Sequence, residues 1–337
     1  MKKVVILGGT GFVGTHLCEK LTRQGWSVTV PTRRRDNARH LLHLPLVTVL
    51  ELDVHDEAAL LRTLAGHDAV VNLVAILQGD QAAFDKAHVA LPQKLARACM
   101  AIRIKQVVHI SALGADARHP ESAPSMYLRS KGQGEAALMK AANGNGGGLP
   151  TFDLTILRPS VIFGAEDKFL NVFARLQSVL PFMPLACADA KFQPVWVEDV
   201  ASAVVACLRF DGNETLAHAP RVVEACGPEV FTLRELVQLA AQLSGVAEGR
   251  GRPVIALPQW LGRLQAGLME LAPGQPVMSR DNLDSMKIDN VASAMLPGLE
   301  SLGMTPAPLR PIAQDYLTRN RADQGLLGLR RRSRYRP

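Results

Sequence analysis

Tyr127 and Lys131 stand four residues apart in Tyr127-Leu-Arg-Ser-Lys131, a spacing that sets both side chains on one face of a helix. A lysine so placed can lower a neighbouring phenol's pKa, leaving the phenol able to exchange a proton with a carbonyl or an alcohol. Such chemistry also needs a hydroxyl to orient and polarise the carbonyl. Ser111 is the candidate, and Ala112 follows it. Upstream, Gly8, Gly11 and Gly14 form GxxGxxG between the apolar run 4–7 and a helical pattern carrying His16, Leu17 and Leu21. Glycines there allow a tight turn and close approach of the backbone to a pyrophosphate, with a helix N-terminus aimed at its charge. Thr10, Phe12 and Val13 lie within the same turn and are counted with it.

The elements that must position these residues follow from the hydrophobic pattern. Strands are expected at 27–31, 46–52, 69–73, 106–111 and 153–158, with helical stretches between them. This alternation predicts an α/β fold, a doubly wound parallel Rossmann sheet. In such a sheet the end of the second strand reads the adenosine ribose: a carboxylate there binds a 2′-hydroxyl, whereas a basic residue accepts a 2′-phosphate. The chain has Thr32-Arg33-Arg34-Arg35, with no carboxylate before Asp36, so NADP(H) is favoured over NAD(H), with Arg33 and Arg34 as the readers. Asp53 and Val54, after the third strand, are placed for the adenine, although an Asp ending a strand is also ordinary turn chemistry. Leu73, Val74 and Ala75 end the fourth strand and face the cofactor.

Beyond residue 160 the pattern loosens. Residues 1–165, joined by a further strand or helix from about 192–210, are assigned to the Rossmann domain. Residues 166–325 form a smaller C-terminal α/β lobe over the sheet's carboxyl edge, with too few elements for an independent core. Thr232 and Glu235 make a capping box opening a helix that Gly245 closes. His16 is read as a partly exposed helix histidine, and Glu198 and Asp199 as first-turn carboxylates. Leu257, Trp260, Leu261, Leu264, Leu268 and Leu271 share one helical face, either packed into the lobe's core or meeting a bilayer or another subunit.

With 47% apolar residues in 337, the chain can bury a substantial core. Five scattered cysteines show no CxxC and no zinc-ligand spacing, so no metal is expected and a reducing, cytoplasmic compartment is. No stretch reaches the ~20 apolar residues of a membrane-spanning helix. The net charge is +7, and RRRSRYRP at 330–337 contributes five arginines, so the basicity belongs to a tail. Residues 326–337 are expected to be flexible and solvated, and no specific nucleic acid is expected.

GGTGFVG, NLVAI, the Tyr127/Lys131 pair and RPSVIFG at 158–164 together resemble an extended short-chain dehydrogenase/reductase, of the epimerase/dehydratase kind. HISALGAD (109–116), SMYLRSKGQGE (125–135), RPSVIFGAEDKFLN (158–171) and EACGPEVFTLREL (224–236) are similar to its atypical branch, which contains the dehydrogenase-like accessory subunit of respiratory complex I. The resemblance adds Pro159 and Val161 to the cofactor residues. It also implies a Ser or Thr after the first serine of the fifth strand, where this chain has Ala112, so the catalytic triad is incomplete. A weakly catalytic or non-catalytic NADPH holder in a respiratory or quinone-linked setting is the implied function. Its location would be cytoplasmic, or peripheral to the inner face of a membrane through the helix near Trp260 and the arginine tail. The alternatives are an active NADP-dependent reductase, epimerase or dehydratase on a sugar-nucleotide, isoprenoid or quinone-like substrate, and a membrane or nucleic-acid adaptor working through the tail.

Overall fold

The computed structural model describes residues 2–144, 151–208, 221–271 and 278–319. Seven parallel strands form the main sheet. In chain order they are β1 (Lys3–Leu7), β2 (Ser27–Thr32), β3 (Val47–Glu51), β4 (Ala69–Asn72), β5 (Gln106–Ile110), β6 (Asp153–Pro159) and a last strand, Arg221–Ala225. Across the sheet they run Arg221–Ala225, β6, β5, β4, β1, β2, β3. The order reverses between β1 and β4, and crevices at such a reversal receive ligands at the strands' carboxyl ends. Val4, Val5, Ile6 and Leu7 are all fully buried, as a strand covered on both faces requires.

On one face, Val5, Leu7, Val70, Val107, Leu154 and Ile156 pack against Leu60, Leu64, Leu91, Leu95 and Leu138. These leucines come from helices Glu57–Leu64, Leu91–Ile102 and Met126–Ala142. Asp56 caps the first, accepting the Ala58 and Ala59 amides, Pro92 opens the second, and Ser125 caps the third through the Leu128 amide. On the other face, helix Phe12–Arg23 packs on helix Val197–Cys207. Glu198 bridges the pair, accepting from Lys20 Nζ and meeting His16 Nδ1, each at 2.6 Å. His16 is thus an inter-helix contact.

Contacts divide the chain into two units. The first comprises Met1–Ser160, Val197–Cys226 and Ala292–Thr305; the second holds Val161–Trp196, Gly227–Val291 and Pro306–Pro337. Two later segments therefore return to the first unit, where the sequence suggested one. The second also has a core of its own, contrary to expectation: Phe163, Leu170, Phe173, Leu185, Leu236, Val237, Ala313 and Leu317 are buried together. The helical contribution from Leu309–Arg319, remote in sequence, is what completes it. Within this unit the capping box is present, with Glu235 N donating to Thr232 Oγ1 at 3.2 Å and Thr232 N to Glu235 Oε2 at 2.7 Å. Gly245 follows the helix at φ +77°, a left-handed stop. Asp167 accepts the amides of Gly164, Phe169 and Asn171 and the hydroxyl of Tyr316.

Helix Gln259–Glu270 buries only Gly262 and Ala266. Of the two alternatives for its apolar face, the outward one holds: Trp260 is 69% exposed, Leu268 63% and Leu271 83%. Gly262 sits so close to Ala186 that a Cβ would come within 2.6 Å of the alanine's methyl, so the helix seats on its small-residue side. The arginine tail lies outside the described residues, as does most of the Gly/Asn run at 143–148. All five cysteines are free thiols.

Candidate functional site: a dinucleotide cradle and a Tyr/Lys pair

The glycine turn leaves β1 at Gly8, whose φ of +82° lies where only glycine sits without strain. Gly11 is the N-cap of helix Phe12–Arg23 and supplies no side-chain cap, so the first-turn amides remain open to an anion. A Cβ at Gly14 would lie 2.5 Å from Gly9 Cα and 2.6 Å from the Gly8 carbonyl, so the helix can approach the turn only without one. A Cβ at Gly8 would reach the main chain at Leu73 and Val74, which brings the turn beside the end of β4. Thr10, Phe12 and Val13 are all half-buried around this turn. The cradle suits a pyrophosphate.

At the end of β2, Arg33 and Arg34 are exposed. The carboxylates nearby are engaged: Asp36 takes both Nε and Nη2 of Arg39, at 3.1 and 2.9 Å, and Glu51 accepts the Arg35 amide at 3.2 Å. Thr15 Oγ1 donates to the Gly11 carbonyl at 2.9 Å and therefore accepts from His40 Nε2 at 3.0 Å, tying the arginine segment to the glycine turn. Exposed Asp53 accepts the His55 amide at 3.0 Å, a local turn, while Val54 packs against the core.

Helix Met126–Ala142 carries Tyr127 and Lys131 one turn apart. Buried Lys131 donates from Nζ to the Ile110 carbonyl at 2.9 Å; burial lowers its pKa to about 8, against the opposing pull of Glu135. The Tyr127 phenol moves the other way from the sequence expectation. Burial pushes it up, and Lys131 donates to the β5 main chain. Ala112 packs with Ala123, Leu128 and Tyr127, so a methyl group stands beside the phenol's helix turn. Ser111 is also buried, and its Oγ has no hydrogen-bond partner among the described residues.

Pro159 ends β6, its carbonyl accepting the Leu113 amide at 3.0 Å. Val161 opens the second unit, its amide donating to Asn290 Oδ1 at 3.0 Å. Among the described residues no group of His, Cys, Asp or Glu could hold a metal ion.

Sequence reasoning missed a buried polar cluster under the same helix. Asn72 Oδ1 accepts the Val74 amide at 3.1 Å, which leaves Nδ2 to donate to His109 Nδ1 at 3.2 Å. His88, also buried, meets Ser130. No motif marks these residues.

Sheet order, glycine turn and Tyr/Lys helix define a Rossmann-type dinucleotide-binding protein. The chain belongs to the NAD dependent epimerase/dehydratase family, whose signature matches residues 4–217. It is 29% identical over 332 residues to mitochondrial subunit 9 of the NADH dehydrogenase (ubiquinone) 1 alpha subcomplex of Arabidopsis thaliana, covering 94% of this chain and 77% of that protein. The Mus musculus counterpart is 29% identical, covering 94% and 80%. A probable dTDP-4,6-dihydroxy-2-methyloxan-3-one 4-ketoreductase of Streptomyces antibioticus is 30% identical over 219 residues, covering 60% of this chain and 69% of that protein. Among solved structures, a UDP-glucose 4-epimerase of Thermotoga maritima superposes with a TM-score of 0.67 at 17% identity, covering 94% of this chain and 98% of that one.

Proposed function

We propose that this chain is an NADP(H)-binding member of the atypical short-chain dehydrogenase/reductases that turns over weakly or not at all, resembling the complex I accessory subunit. One observation carries the reading: Ala112 lies in the cluster against which Tyr127 packs, at the position where the resemblance implies a Ser or Thr. Gly8, Thr10, Gly11, Phe12, Val13 and Gly14 would hold the pyrophosphate, and Arg33 and Arg34 the 2′-phosphate. Asp53 and Val54 would flank the adenine. Leu73, Val74, Ala75, Tyr127 and Lys131 would hold the nicotinamide riboside, with Pro159 as a further contact. When bound, the group supplies a transferable hydride. The phenol, raised by burial, holds its proton and is a weak donor to a carbonyl near neutrality.

The partner in this reading is a respiratory assembly or an anionic bilayer surface on the cytoplasmic side. The exposed Trp260, Leu264, Leu268 and Leu271 face supports it, since an interfacial helix carries its tryptophan and leucines on one side. No helix among the described residues is long and apolar enough to cross a membrane.

An active reductase is the second reading, supported by retention of Tyr127 and Lys131 and by the similarity to the ketoreductase. The two separate in one experiment. Nucleotide released from the purified protein is identified, and NADPH oxidation is then followed with candidate carbonyls and quinones. Bound NADPH without oxidation supports the holder, and steady oxidation the reductase. No affinity for either dinucleotide refutes both.

A further inference from the structure

The residues Asp85–Ala90 form a π-helical turn, a geometry that recurs at functional sites. It presents His88 to the interior, where the ring is buried. Nε2 accepts the Ile76 amide at 3.0 Å, so that nitrogen carries no proton. The proton therefore sits on Nδ1, which donates to Ser130 Oγ at 2.9 Å, and Ser130 donates onward to the Tyr127 carbonyl at 2.8 Å. One tautomer satisfies the whole chain of bonds. The imidazole also stands edge-on to the Tyr127 ring, with centroids 5.5 Å apart, and lies 5.6 Å from that of Phe84. Its main chain is fixed as firmly, because a Cβ at Gly134 would collide with the His88 carbonyl oxygen. Burial, the Lys131 charge and His109 hold the imidazole's pKa down to about 2, so it remains neutral, as an accept-and-donate role requires.

We propose that His88 is a positioning residue that locks the main chain after Leu73–Ala75 to the helix turn bearing Tyr127 and Lys131, setting the nicotinamide half of the site as one rigid piece. The proposal rests on the reading of those segments as a dinucleotide site. Ile76 extends the segment that meets the glycine turn, and Ser130 lies between the two residues of the Tyr/Lys pair. None of the bonds reaches Arg33, Arg34 or the turn from Gly8 to Gly14. A histidine that only filled the core would support both halves alike.

The test uses the full chain. His88→Phe keeps a ring against Phe84 and Tyr127 but removes both hydrogen bonds, whereas His88→Gln retains an acceptor and a donor. Each variant is titrated with NADPH and with 2′,5′-ADP, which carries the adenine half alone. Hydrogen exchange is followed over 73–78 and 127–131 without ligand. His88→Phe should weaken NADPH about 10-fold, the worth of one to two net hydrogen bonds, and leave 2′,5′-ADP unchanged. His88→Gln should restore most of the loss, and exchange in His88→Phe should quicken in both segments together. Equal weakening of both ligands, unchanged NADPH affinity, or faster exchange in one segment alone overturns the proposal. If His88→Phe does not fold, Ser130→Ala cuts the same chain at its second link. It should quicken exchange over 127–131 and weaken NADPH several-fold, and unchanged values would refute the proposal. Should the wild type bind neither ligand, the site reading fails, while the exchange arm still decides the lock.

Discussion

Lowering the pH from 7.0 to 5.5 should destabilise this protein through two histidines, His88 and His109, both buried in the first unit. Burial and the neighbouring Lys131 charge hold their pKa values down to about 2 and about 3 respectively. An unfolded histidine titrates near 6.5, so below that pH the unfolded chain takes up protons that the folded chain refuses. Stability is therefore complete above pH 6.5 and is lost progressively as the pH falls toward 3. Over the chosen window each histidine should cost about 1 kcal/mol, and the two together roughly 2–3 kcal/mol, a large part of a typical domain's stability. The carboxylates whose pKa values are lowered, including Asp116, Glu198 and Asp284, titrate below the window in both states. His55 and His67 are also shifted down by burial and add in the same direction. The assay is urea unfolding at both pH values for the wild type and for the double variant His88→Gln, His109→Gln. The variant should lose roughly 2–3 kcal/mol less than the wild type on acidification. Equal losses would refute the reasoning, since they would mean that the two imidazoles protonate as freely inside the fold as outside it.

Arg33→Ala combined with Arg34→Ala should weaken NADPH at least ~10-fold more than NADH in a binding titration, because charge-assisted bonds to a 2′-phosphate are worth ~1.5–3 kcal/mol; equal losses would take the arginines out of cofactor selection. Tyr127→Phe should change stability by no more than about 1 kcal/mol, the net worth of a single hydrogen bond. Any slow turnover should persist nearly unchanged in that variant, and a fall of ~10²- to 10⁴-fold would instead establish the phenol as a working acid. Ala112→Ser should raise NADPH oxidation only where a carbonyl already reaches the nicotinamide, and inactivity with NADPH still bound would favour the holder. Co-sedimentation with anionic vesicles at low salt, with a shift in tryptophan emission, is expected for the native chain and should be lost in Leu268→Glu; no sedimentation of the native chain would leave that helix face to a protein partner.

The parts of the site that could be read from the chain are those whose geometry is local. Gly8, Gly11 and Gly14 sit within one turn, and Tyr127 and Lys131 within one helical turn, so spacing alone places them relative to each other. β1 and β4 announce themselves through short continuous apolar runs, because strands covered on both faces need no alternation, while the edge strand β3 alternates and is less buried. The remaining features depend on meetings between segments far apart in sequence, which no spacing encodes. Arg221–Ala225 became the seventh strand only by pairing with β6, from Arg221 opposite Thr155 to Ala225 opposite Pro159. The helix around Trp260 has the same periodicity whether its leucines face core or solvent. Close seating of Gly262 on Ala186 turned them outward. Whether the Tyr127 phenol would be lowered by Lys131 depended on its surroundings in the fold, and burial there raises it instead. His88 was silent in the sequence for the same reason: its partners, Ile76 after β4 and Ser130 on a later helix, lie on separate segments, and a hydrogen bond between them exists only after the sheet has brought them together.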